Sequence, residues 1–113
     1  MPYSPVRKRY IAFKLLSDTF IYYNDLSQSI RIEILKLHGD FGVSKASFKL
    51  IEYDGKTGFG IVKCNHLALE QTRLSLLSLK SVRDIPVIPQ VLYVSGTIKS
   101  IRQKMKETIP LST

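Results

Sequence analysis

Apolar and polar positions alternate from residue 9 to residue 16. In RYIAFKLL, Ile11, Phe13 and Leu15 share one face while Tyr10, Ala12 and Lys14 share the other, the period-2 pattern of a half-buried strand. The preceding MPYSPV carries two prolines and reads as an unstructured lead-in. After the strand the period lengthens. Asn24 is placed to cap a helix running to about His38, with Gly39 and Gly42 offering ways to end it. Leu26, Ile30, Ile34, Leu37 and Phe41 fall within about 80° of one another at 100° per residue, forming a core stripe. Ile32 and Leu35 lie well outside that arc and are either a wider core contact or a surface for a partner.

SFKLIEY (47–53) reads as a second strand, Asp54-Gly55 as the start of a turn, and GFGIVKC (58–64) as a returning third strand, so 47–64 is a hairpin. Asn65 then caps a second helix through about Ser81, with Leu69, Leu76, Leu77 and Leu79 on its packing side. Leu67 and Leu74, seven apart, form a separate ridge. Pro86 and Pro89 block helix continuation before a last strand, VLYVS (91–95). The tail is helical again over 97–109. Thr97 can cap it, Ile98, Ile101, Met105 and Ile109 make one apolar stripe, and Lys99, Arg102 and Lys106 repeat on a different face.

The order β-α-β-β-α-β plus a C-terminal basic helix defines an α+β fold, the ferredoxin-like arrangement that RRM domains share. The expected organisation is a flexible basic lead-in over 1–8 and a single RRM-like domain over 9–113. An antiparallel sheet carries helices on one face. In this topology the fourth strand lies antiparallel to the first, so both chain ends are expected at one edge of the sheet.

That placement makes charge the informative part of the composition. Seventeen Lys and Arg against nine Asp and Glu give 113 residues a net charge of +8. Residues 10–90 hold ten basic and eight acidic residues, a net of +2, so most of the excess sits at the ends. Arg7, Lys8 and Arg9 lie in front, and Lys99, Arg102, Lys104 and Lys106 behind, opposed only by Glu107. The topology pools them into one patch, which suits nucleic acid ahead of an anionic membrane. No apolar run approaches the roughly 20 residues of a membrane span, and a single cysteine makes no internal disulfide. A cytoplasmic protein is the expectation.

Thr57 to Cys64 occupy the place of the main RRM stacking motif. Gly58, Phe59, Gly60 and Val62 match it, whereas Thr57 replaces a basic residue and Ile61 and Cys64 replace aromatics. Phe59 can stack on a base, but a sheet without its other rings favours shape and phosphate contacts over single-strand reading. Cys64 and His66, with only His38 besides, fall short of the ligands a metal site wants. They read as a buried thiol at a strand end and a polar residue in a helix's first turn. Glu52 and Asp54 sit at a turn, where solvation explains them. Acylphosphatases resemble this topology, but Ser17-Asp18-Thr19-Phe20-Ile21-Tyr22 after the first strand contains neither the Gly nor the Arg of their phosphate loop.

Three segments together resemble ribonuclease P protein component 2 of archaea, a family related to a eukaryotic ribonuclease P/MRP subunit. They are KRYIAFKLL, GFGIVKCNH and VLYVSGTIKSIRQK, with the KCNH and VSGTIK strings the specific part. The likeness spans roughly residues 7–105. It implies an RRM-like fold without the full aromatic platform, in a subunit of an RNA-plus-protein enzyme that removes the 5′ leader of precursor tRNA. It implies that the RNA holds the active site and uses Mg²⁺, and that this chain itself holds no cofactor, no metal and no catalytic residue. It implies as partners the ribonuclease P RNA, ribonuclease P protein component 3 and the other protein subunits, with precursor tRNA as substrate and no membrane. Lys63, Cys64, Asn65 and His66 match one motif and Ser95, Gly96, Thr97, Ile98 and Lys99 the other, with Asn65 and Thr97 read as helix caps. The expected RNA-facing residues are Arg7, Lys8, Arg9, Lys14, Phe59, Lys63, Lys99, Arg102, Lys104 and Lys106. Ile32, Leu35, Leu67 and Leu74 are the expected protein-facing ones. The alternative reading is a stand-alone RRM-like RNA-binding module, and a small phosphate-directed enzyme is the third.

Overall fold

The computed structural model describes residues 7–108, without the side chains of residues 40–46 and 108. Strand β1 (Lys8–Leu16) is followed by helix α1 (Tyr23–Ala46), and strands β2 (Lys49–Tyr53) and β3 (Phe59–Asn65) form the hairpin. A single 3₁₀ turn (His66–Ala68) leads into α2 (Leu69–Leu77). Two short strands, β4 (Ser81–Val82) and β5 (Ile85–Pro86), precede β6 (Ile88–Ser95), and α3 (Ile98–Thr108) closes the described chain. The main sheet runs β2-β3-β1-β6, antiparallel throughout. This is the expected ferredoxin-like order.

Alternation along β1 decides both faces of the sheet. Ile11, Phe13 and Leu15 are buried against α1 and α2, where they meet Leu26, Ile30, Ile34, Ala68, Leu76, Leu79 and the strand residues Leu50, Val62 and Cys64. Ala12, on the other face, is buried too. With Ile61 it packs against Ile101 and Met105 of α3, and Tyr10, Phe59, Tyr93 and Ile98 lie around them. The apolar stripe of the basic tail thus covers the face a single-strand reader leaves open. Burying Ile101 and Met105 contributes about 1.5–3 kcal/mol each.

Several boundaries differ from the sequence pattern. Lys8 pairs with Asn65 inside β1 and so belongs to the sheet rather than to a flexible lead-in. Residues 1–6 lie outside the described residues, as does Ile109. Asn24 does not cap α1; the helix follows Tyr22, which makes no side-chain capping bond. Helical geometry breaks at Gly39 as expected, but the chain resumes helix to Ala46. Leu37 is exposed in the last turn before that break, and the side chain of Phe41 is outside the described residues. Asn65 caps the 3₁₀ turn, accepting from Leu67 N at 3.1 Å, and α2 ends at Leu77, not Ser81. Leu77, in the helix's last turn, is exposed. The β4–β5 hairpin turns through Arg83 and Asp84, both at positive φ. It lacks the Asn-Gly or Asp-Gly signal that marks such turns in sequence. Pro89 lies within β6, which an edge strand tolerates.

Candidate nucleic-acid interface

The three motif-bearing segments are β1, β3 and β6, neighbours in the sheet, and their informative ends meet. Tyr10 pairs with Ser95 on one side and with Lys63 on the other, and Lys63 pairs with Lys49 of β2. One row across the sheet therefore reads Ser95, Tyr10, Lys63, Lys49. Lys8 stands two residues beyond Tyr10 on the same face, paired with Asn65.

Each motif residue has a distinct task at this end. The backbone amide of His66 donates to the Arg7 carbonyl at 2.8 Å, and the Arg7 amide donates to His66 Nδ1 at 3.1 Å. The first basic residue is thereby tied to the sheet. Cys64 is buried beside Thr72, and burial pushes its thiol pKa up, opposed by the Thr72 hydrogen bond and by Arg9. A raised pKa leaves it a poor nucleophile. Arg9 donates to the Lys8 carbonyl at 3.0 Å, and its guanidinium lies 3.3 Å from where a Cβ on Gly96 would stand. Gly96 leaves room for it. Ser95 Oγ accepts from Thr97 N, and Thr97 Oγ1 accepts from Ser100 N, both at 3.2 Å, so Thr97 caps α3 as its sequence position implies. Lys99 is exposed in the first turn.

The seven terminal cations do not form one patch. Arg7, Lys8, Arg9 and Lys99 gather where β1 begins, but α3 leaves that edge and crosses the sheet. Arg102 reaches Glu52 on β2, at the far edge, and ion-pairs with it. Met105 lies with Tyr53 and Phe59 at the other end of the hairpin. Lys104 sits 5.7 Å from the centre of the Tyr93 ring, and Lys106 is exposed beyond it. Lys14 stands over Phe59 at 5.0 Å, so this ring, expected to stack on a base, lies between a lysine and α3. The sheet is not short of rings, however. Tyr10 and Tyr93 share the face of Phe59, all three packed around α3.

Sequence reasoning missed Lys49, which falls in the nearly balanced middle of the chain. Only the strand register, with Lys49 opposite Lys63, reveals it. On the helical layer Ile32, Leu35, Leu67 and Leu74 are all exposed, Leu67 most at 64%. The core alternative for Ile32 and Leu35 is thereby excluded.

Fold and cationic end together define a small basic RRM-like protein whose sheet face is closed by its own C-terminal helix. Comparison with known proteins narrows this class. The Rpp14/Pop5 family model matches residues 9–106, and the chain belongs to that family. It is 36% identical over 101 residues to ribonuclease P protein component 2 of Archaeoglobus fulgidus, a match covering 89% of this chain and 90% of the relative. The corresponding protein of Pyrococcus furiosus is 34% identical over 98 residues, covering 87% and 82%. A chain in the cryo-EM structure of yeast ribonuclease MRP superposes with a TM-score of 0.68 at 12% identity, covering 95% of this chain and 97% of that one. At that identity the likeness is one of fold.

Proposed function

We propose that this chain is a protein subunit of ribonuclease P, the ribonucleoprotein that removes the 5′ leader of precursor tRNA. One observation carries the reading: a chain of this family brings its KCNH and VSGTIK motifs and its N-terminal cations to the same end of the sheet. Catalysis belongs to the RNA and its Mg²⁺, and the chain acts by neutralising phosphates, which lets a folded RNA stay compact. Precursor tRNA is then the substrate of the assembled enzyme rather than of this protein, and the place of action is the cytoplasm. Omitting the chain from a reconstituted enzyme is expected to lower the precursor-tRNA cleavage rate at limiting Mg²⁺. The chain alone with precursor tRNA and Mg²⁺ is expected to cleave nothing. Equal rates with and without the chain overturn the subunit reading in favour of a stand-alone RNA-binding module.

The protein partner of the helical layer is ribonuclease P protein component 3. Ile32 and Leu35 on α1, with Leu67 and Leu74 at and along α2, supply the apolar area that an interface core wants. Because Leu67 and Leu74 are already exposed, changing both to Ser is expected to leave the melting temperature within a few degrees. The same double change should weaken co-purification with component 3 at least tenfold. Unchanged co-purification moves the interface elsewhere.

A further inference from the structure

We propose that the end of the sheet where β1 begins holds a fixed seat for one phosphate group of an RNA backbone, formed by Lys8, Lys63 and Ser47 and flanked by Lys49. The inference rests on the RNA-binding role just described and names an atom-scale site within it.

Lys49 and Lys63 are direct partners on antiparallel strands, where Cβ atoms stand about 4.5–5.5 Å apart and like charges destabilise the pair. Among the described residues neither lysine, nor Lys8 beside them, makes an ion pair with a carboxylate. Glu33, Glu70, Asp25 and Glu52 are each paired elsewhere. A like-charge pair without a carboxylate partner is a local cost, and a bound anion removes it.

A hollow of about 180 Å³ is lined by Lys8, Ser47, Lys63, Cys64 and Asn65. Two of its lining residues carry an ammonium group and a third, Ser47, a hydroxyl, the donors that suit the acceptor-only oxygens of a phosphate. Ser47 ends α1 at φ 48 in the left-handed region, where Gly or Asn is the inexpensive choice. Ser is strained there, but it adds a hydroxyl to the lining. A single phosphodiester and free inorganic phosphate share this chemistry, and the test separates them.

The test uses the full chain and the double variant Lys49→Gln, Lys63→Gln, with Lys36→Gln, Lys80→Gln as the charge-matched control. RNA affinity is measured across a salt series, melting temperature without RNA, and backbone amide shifts during titration with inorganic phosphate or with chloride at equal ionic strength. The seat variant loses one phosphate contact and is expected to flatten the log–log salt slope by about 0.7–0.9. Relief of the like-charge pair should raise its melting temperature by roughly 1–5 °C. Phosphate, but not chloride, should move the amides of Ser47, Lys63 and Asn65 in the unmodified chain. Higher stability with weaker binding is a pairing of signs that a purely structural role does not produce. Phosphate shifts without the change in RNA slope assign the hollow to free phosphate and overturn the RNA seat. A slope loss equal to the control's, or equal shifts with chloride, also overturns it while leaving the subunit reading intact. An unmodified chain that fails to bind RNA overturns both.

Discussion

Replacing Arg7, Lys8 and Arg9 together with Gln is expected to flatten the dependence of log RNA affinity on log salt by about 2 to 3 units, at 0.7–0.9 per lost phosphate contact. Across a fourfold change in salt the variant's affinity then falls roughly 16- to 64-fold less than the unmodified chain's. The effect is large because these residues are held, not trailing. Lys8 and Arg9 lie in β1, and Arg7 is tied to His66 through two backbone-directed hydrogen bonds. A matched change of Lys99, Arg102 and Lys106 is expected to flatten the slope by less. Glu52 already pairs with Arg102, and α3 takes Lys106 away from the cluster. Binding isotherms at four or five salt concentrations decide the matter. Both triple changes should weaken many RNAs alike, since phosphate contacts position without reading sequence. Equal slopes for the two variants mean that only net charge matters.

The second large effect concerns stability. Gly58 sits at φ +83, and a Cβ there would collide with the carbonyl oxygen of Leu15. The same strand end is joined by Leu15 N donating to Gly58 O at 2.8 Å. Gly58→Ala adds backbone strain to a steric clash against main chain, which cannot rotate away. The expected cost is at least about 3 kcal/mol, a melting-temperature loss of roughly 12 °C or more. A thermal melt followed by far-UV circular dichroism measures it, and a loss under about 4 °C means that β1 and the turn shift apart freely. Gly60 is confined in a different way, facing the ring of Phe13. The two glycines that resemble a nucleic-acid motif are therefore required by packing.

Strand β1, the β2–β3 hairpin and the α3 stripe were legible because their periods are clean, although β1 is buried on both faces where its pattern implies one. The helix caps divided. Thr97 precedes a strongly patterned helix and caps it, while Asn24 lies one residue inside a helix whose start Tyr22 and Tyr23 set. Leu77, the last residue of α2, faces solvent although the stripe puts it on the packing side, whereas Leu79, beyond the helix, is buried. The β4–β5 hairpin was invisible because Arg83 and Asp84 adopt turn geometry usually left to Gly or Asn. Of the candidate site, the terminal cations stand out by charge distribution and Lys63 by the KCNH motif. Lys49 and the spreading of α3 depend on register and on the crossing direction of a helix, neither of which has a local signal.

The two faces of the sheet are closed by unequal amounts of chain. Two helices and the β4–β5 hairpin cover one, whereas among the described residues α3 alone covers the other, joined to β6 through Gly96 and Thr97 and seated mainly on Ile98, Ile101 and Met105. Lifting α3 gives up about 3–6 kcal/mol for the two most buried of these side chains, while every strand stays paired. Detaching α3 would therefore cost less than unfolding the sheet, and it would bare Tyr10, Phe59 and Tyr93 side by side on one face.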